Sequence, residues 1–236
     1  MKRIKTNNQK KVAIFDIDGT IFRSSLLIEV VEALIDKGIF PDTARKTYIR
    51  AQKAWHDRTG SYEDYIDKVV ASFLKHIKGV YYKDFINTAE EVVEREKFTV
   101  YRYTRDLIAE LKKKKYFLLA ISQSPKGILD KFCKHLGFDK VYGRFYETGP
   151  MDAFTGRVVD EHLIGNKANI VWRAVEKENL TLKDSIGVGD TEGDIPVLEL
   201  VDRPICFNPN ALLYKWAKKS GAEVIVERKD VVYKIQ

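Results

Sequence analysis

Four short segments hold the side chains with the most chemical potential. Asp16 and Asp18 flank Ile17 in Asp16-Ile17-Asp18-Gly19-Thr20, directly after the apolar run Val12-Ala13-Ile14-Phe15. Far downstream, Gly187-Val188-Gly189-Asp190-Thr191-Glu192-Gly193-Asp194 places further acids behind a second apolar run. Between them lie Ser122, in Ala120-Ile121-Ser122-Gln123-Ser124-Pro125, and Lys167, at the start of a helical pattern. Residues two apart on a strand share a face, so Asp16 and Asp18 project to one side. Gly19 then permits a sharp turn. One carboxylate can attack a phosphorus atom while its neighbour handles the proton, with a divalent cation screening the charge. Asp-Gly alone is an ordinary turn signal. The second Asp, Thr20 and the distant acidic segment raise it to a candidate site.

The elements that must position these groups can be read from periodicity. A strand over about 11–16 leads into the Asp pair. Helical patterns then follow one another from Ser24 to about Lys97, at about 24–37, 42–58, 61–78 and 83–96, with Ser61 and Asp64 spaced as a capping box. After them, helices and strands alternate. The expected strands are Tyr116–Ser122, Val141–Glu147, Gly156–Val159, Ser185–Gly189, Ile205–Phe207 and a last one at about 223–226. The expected helices are about 101–115, 127–136, 166–178, 193–201 and 211–219. Apolar strands alternating with helices imply an α/β fold whose parallel sheet is covered on both faces. Residues 1–23 and 99–236 then form the core and 24–98 an all-helical insertion, a cap over the C-terminal sheet edge where open α/β sheets bind ligands. Asp16, Asp18, Ser122 and Asp190 all fall at C-terminal ends of strands, hence at that one edge.

These four motifs, in this order, resemble those of the haloacid dehalogenase superfamily of phosphohydrolases. The helical insertion and Cys206-Phe207-Asn208-Pro209-Asn210 resemble its phosphoserine-phosphatase-like subfamily. The resemblance implies a Rossmann-like core and an Mg²⁺-dependent phosphatase acting on a small phosphorylated metabolite. Asp16 is then the nucleophile that becomes an aspartyl-phosphate and also touches the metal. Asp18 is the general acid and base, and joins the metal through its backbone carbonyl. Asp190 is a further metal ligand. Ser122 and the amide of Gln123 bind the phosphate, Lys167 supplies positive charge, and Thr20 and Asp194 support the site.

The chain departs from the phosphoserine phosphatases where those enzymes grip the amino acid. Gln123 and Ser124 stand where they carry glycines. Ser25 stands where a glutamate for the substrate amine is expected, with Glu29 one turn later. Lys68 is the nearest cation to the position of a carboxylate-binding arginine. Arg23, Glu29, Arg58 and Tyr65 are candidate cap contacts. Phosphoserine phosphatase proper and a non-catalytic phosphate-binding protein on the same fold are the alternative readings.

Bulk properties set the boundaries. With 236 residues, 44% hydrophobic and 32% charged, the chain can bury a sizeable core. No apolar stretch reaches the roughly 20 residues that span a bilayer, and the polar, basic start lacks a secretory pattern, so a cytoplasmic location is expected. Cys133 and Cys206 sit in separate apolar segments and read as reduced core thiols. The net charge of +7 gathers at Lys2, Arg3, Lys5, Lys10 and Lys11 and at Lys112 to Lys115. Without a nucleic-acid-binding motif, that charge reads as solvated surface, and no nucleic-acid partner is expected. The four histidines, His56, His76, His135 and His162, show no ligand pairing.

Overall fold

The computed structural model describes residues 9–159 and 166–235. The basic residues Lys2, Arg3 and Lys5, and His162, lie outside them. Val12 to Phe15 in β1 (Lys10–Phe15) are all buried with no alternation, as expected of a strand covered on both faces. β1 pairs in parallel with β2 (Phe117–Pro125) and β5 (Leu180–Gly189). β2 continues in parallel to β3 (Lys140–Thr148), while β5 continues to β6 (Arg203–Phe207) and β7 (Glu223–Arg228). Two antiparallel edge strands, β4 (Phe154–Val159) and β8 (Val231–Ile235), complete the order β4-β3-β2-β1-β5-β6-β7-β8.

Four α-helices enter between β1 and β2: α1 (Leu26–Asp36), α2 (Ile49–His56), α3 (Tyr62–Ile77) and α4 (Tyr82–Glu96). α5 (Arg102–Lys113) then leads into β2, and the Lys112 to Lys115 run closes it, where cations complement the helix dipole. Ser61 caps α3 by accepting from the Asp64 amide at 3.1 Å. Tyr65, Val69, Phe73 and Ile77 follow at helical spacing on its buried face. The helix expected over 42–58 is two pieces, a 3₁₀ segment Asp42–Thr47 and then α2. Tyr48 interrupts it with φ −122° and places its hydroxyl 2.6 Å from Glu32. The two chain crossings between sheet and helices pair with each other: Arg23 donates to the Thr99 carbonyl at 3.0 Å and Tyr101 to that of Ile21 at 2.9 Å.

Among the described residues, further α-helices are α6 (Lys126–Leu136), α7 (Lys167–Lys177), α8 (Ile195–Leu198) and α9 (Ala211–Ser220). One core joins Ala13, Phe15, Leu118 and Ala120 on one sheet face to α5, α6 and the inserted helices. On the opposite face, Val12, Ile14, Leu119 and Ile121 pack on Ile170 and Val171 of α7.

Two further features lie outside the sequence expectation. The strand near 223 is followed by β8, reached through Lys229, which adopts a left-handed φ of 54°. The β3–β4 hairpin is also joined to the inserted helices by backbone pairing. Gly79 donates to Phe154 at 2.8 Å, Phe154 to Val80 at 2.8 Å and Tyr82 to Asp152 at 2.7 Å. Phe73 lies edge-on to Tyr146, and Phe85 edge-on to Phe154.

Candidate active site

Strand ends, turns and one helix start bring the candidate residues together. Asp16 follows β1, its amide bonded to the Val188 carbonyl at 2.9 Å, which locks it beside the end of β5. Lys167 opens α7, where Asn166 caps the helix through the amides of Ala168 and Asn169. Its ammonium lies 2.6 Å from Asp16 Oδ1 and 2.6 Å from Asp194 Oδ1. All three side chains are almost wholly buried.

Asp194 uses its other oxygen on the turn that carries Asp190, accepting from the amides of Asp190 at 3.0 Å and Thr191 at 3.2 Å. It thus orients both Lys167 and Asp190. Thr20 donates to Asp190 Oδ1 at 3.1 Å. Two glycines make this crowding possible. A Cβ at Gly19 would meet Asp190 Oδ2 at 2.1 Å, and Gly19 has φ +79°; a Cβ at Gly189 would meet Asp194 at 2.4 Å. The glycines of both acidic motifs are therefore the space into which the opposing carboxylates fit.

The carboxylates of Asp16, Asp190 and Asp194 offer oxygens that all lie within 4.8 Å of one another. Burial, opposed by Lys167 and reinforced by Asp194 and Asp18, pushes the Asp16 carboxyl up to about 8. Burial, with Asp16 and Asp194 nearby, likewise raises Asp190. Burial works against the Lys167 charge, but Asp16 and Asp194 outweigh it and hold the ammonium above the usual lysine range. One buried ammonium faces three carboxyl groups and is too little positive charge to hold all of them ionised, which is why Asp16 and Asp190 are raised. An all-oxygen donor set short of positive charge fits a hard divalent cation such as Mg²⁺.

Asp18 stands apart from this cluster. Its carboxylate accepts from the Leu26 amide at 2.6 Å, the Ser122 hydroxyl at 2.6 Å and the Ser124 hydroxyl at 2.8 Å. Ser25, the N-cap residue of α1, makes no side-chain capping bond; Asp18 takes that role across the junction. Of the residues at the end of β2, Ser122 and Ser124 point toward Asp18. Gln123 is exposed, and its side-chain oxygen accepts from Arg144 Nε at 2.9 Å.

Among the candidate cap contacts, Arg23 lies over the Tyr101 ring at 5.6 Å and Arg58 over Trp55 at 5.1 Å. Glu29 accepts from Ser24 and Arg95, Tyr65 accepts from Gln52 at 3.0 Å, and Lys68 pairs with Asp64 at 3.8 Å. Sequence reasoning passed over Tyr62. It opens α3, with its ring edge-on to Trp55 and Tyr65 and within the electrostatic reach of Asp18 and Asp190. Burial and those two charges raise its phenol above the ordinary tyrosine range. Its place directly after the Ser61 cap was the available signal.

The haloacid dehalogenase-like hydrolase family matches this chain over residues 13–199, from β1 through the second acidic motif. The chain belongs to that family. Among curated relatives of this hydrolase, a putative hydrolase of Mycobacterium leprae is 26% identical over 217 residues, covering 90% of this chain and 71% of the relative. A histidinol-phosphatase of Neisseria meningitidis serogroup C is 25% identical over 228 residues, covering 92% and 98%. A crystal structure of phosphoserine phosphatase in apo form shares the fold, with TM-score 0.64 and 22% identity over 94% of this chain and 96% of that one.

Proposed function

We propose that this hydrolase is an Mg²⁺-dependent phosphatase that cleaves a small phosphomonoester through an aspartyl-phosphate on Asp16, with residues 24–98 as its cap. The observation that carries the reading is the division of labour among the acids. Asp16, Asp190 and Asp194 gather around one ammonium. Asp18 is held apart on hydroxyl and amide donors. The family membership and the relatives named as phosphatases support the same class.

Asp16 attacks phosphorus, forming a carboxylate oxygen–phosphorus bond as the ester bond breaks. Asp18 gives its proton to the departing oxygen. It then takes a proton from a water that attacks the phosphorus, which releases phosphate and restores Asp16. Lys167 holds Asp16 in place and opposes the charge that gathers on the transferring group. The Ser122 hydroxyl turns from Asp18 to a phosphate oxygen, and the Gln123 amide adds a second donor. Asp16, Asp190 and the Asp18 carbonyl would hold Mg²⁺, which supplies charge neutralisation and a template for the phosphate oxygens. The two buried free thiols support a cytoplasmic location. Among the described residues no helix is long and apolar enough to cross a membrane.

The test is phosphate release by purified protein from amino-acid, amino-alcohol, sugar and nucleotide phosphates with Mg²⁺. Release that requires Mg²⁺ and is lost in Asp16→Asn is expected. No release from any ester at neutral pH overturns the proposal, and tight binding without turnover points instead to a phosphate-binding protein.

A further inference from the structure

The end of β2 has a charged neighbour on β3 that the reaction leaves unused. Arg144 aligns with Pro125, just past Ser122. It is half-buried, and its Nε donates to the side-chain oxygen of Gln123 at 2.9 Å. Gln123 follows Ser122, whose hydroxyl lies 2.6 Å from Asp18. Only the Gln123 side chain therefore separates Arg144 from the expected phosphate donors, the Ser122 hydroxyl and the Gln123 amide. Residues two apart on a strand share a face. Arg144 thus lies on the face of β3 that sets Tyr146 edge-on to Phe73 of α3, centroids 5.1 Å apart.

Its charge has no counter-ion. Among the described residues no carboxylate pairs with the Arg144 guanidinium, and the acids around it are engaged elsewhere. Asp130 borders the same cavity of about 70 Å³ as Arg144, but Lys126 holds both its oxygens, at 2.6 and 2.7 Å. Glu147 accepts from Thr155 at 2.6 Å, and Asp18 accepts from Leu26, Ser122 and Ser124. In the inserted helices, Lys68 pairs with Asp64 and Arg58 lies on Trp55. The bond at Nε fixes the plane of the guanidinium and leaves the Nη donors, a fork that matches two oxygens of one carboxylate or phosphate. A second anion on the substrate would be repelled by the acids of the site. Arg144 offsets that repulsion, and gains a counter-ion without giving one up.

We propose that Arg144 is a specificity residue, and that it selects phosphomonoesters carrying a second anionic group, a carboxylate or a further phosphate, which its fork binds beside the end of β2. This rests on the phosphatase reading and narrows its substrate class. Asp18 remains the acid, and Gln123 holds the guanidinium in place.

The test measures kcat and KM at fixed free Mg²⁺ for two matched pairs: 3-phosphoglycerate against glycerol 3-phosphate, and glucose 1,6-bisphosphate against glucose 6-phosphate. The anion-bearing member should exceed its partner in kcat/KM by at least about tenfold in one pair or both, the effect of a hydrogen bond to a charged group. A preference in one pair alone names the second group as a carboxylate or as a phosphate. Arg144→Leu should reduce that ratio by about tenfold or more, mainly through KM of the anion-bearing ester, with the melting temperature held; a merely structural role would lower all four esters together. Should Arg144→Leu fail to fold, Arg144→Lys carries the test: it keeps the charge but not the fork, and the ratio should fall by about three- to tenfold. Equal handling within both pairs, a preference for the esters without a second anion, or a ratio unmoved by the substitution overturns the proposal. Absence of turnover for every ester refutes the phosphatase reading instead. Arg144 is then judged by calorimetric binding of the same four compounds to the wild-type chain, where no preference for the anion-bearing members refutes its role.

Discussion

Replacing Lys167 by Met removes one charge at nearly constant length and exposes what that charge does. The ammonium makes two 2.6 Å contacts, to Asp16 and Asp194, from a position 8% exposed. Without it, Asp16, Asp190 and Asp194 face one another within 4.8 Å with no buried cation among them. Breaking a buried ion pair by deleting one partner costs roughly 3–5 kcal/mol. That is a large share of the roughly 5–15 kcal/mol by which domains are stable, and at a urea dependence of about 2–3 kcal/mol/M it moves the midpoint down by roughly 1–2.5 M.

The loss depends on pH with a definite sign. Asp16 already holds its proton up to about 8 in the folded chain, against an ordinary value of 3.8. Between those values the folded state binds a proton that the unfolded chain has released. Stability from this group therefore falls as pH rises, at up to about 1.4 kcal/mol per pH unit. Deleting Lys167 strengthens that hold, so the metal-free Lys167→Met chain should be closer to wild type at pH 5 than at pH 8. At a hundred times its Kd, Mg²⁺ should return about 2.7 kcal/mol at pH 8. Urea unfolding at both pH values, with EDTA and with Mg²⁺, reads all of this. A variant within about 1 kcal/mol of wild type at pH 8 without metal would refute the reasoning.

Asp16→Asn should abolish phosphate release, and in urea unfolding it should flatten the decline of metal-free stability between pH 5 and pH 8, because the titrating group is gone. Gly19→Ala should cost about 1–2 kcal/mol from its left-handed backbone alone; calorimetry should also show weaker Mg²⁺ binding, since the new methyl occupies the place of Asp190 Oδ2. Phe154→Ala, which strips a 4% exposed ring from the hairpin, should destabilise the chain by about 3–5 kcal/mol in urea unfolding.

The sheet and the acidic edge were legible because they rest on local signals. Continuous apolar runs marked β1, β2 and β5, and the spacing of Asp16, Asp18 and Asp190 behind them carried the site. What the chain concealed depends on contacts far apart in sequence. β8 went unread because its turn is Arg228-Lys229-Asp230, with a lysine in the left-handed region where glycine or asparagine would have announced it. The break at Tyr48 follows from a hydroxyl bond to Glu32, sixteen residues away, that no helical period reveals. The engagement of Ser122 and Ser124 with Asp18 needs β1 and β2 side by side. Tyr62 went unread because its surroundings depend on how α1 and α3 pack together.

The backbone seam between Gly79–Tyr82 and Asp152–Phe154 has a mechanical consequence. It stitches the inserted helices to the sheet's outermost hairpin, so those helices cannot swing about their two covalent crossings alone. Lifting them must either carry the hairpin along or unzip three main-chain bonds. If product leaves by lifting these helices, a change at the sheet's rim should alter turnover while leaving every acid in place.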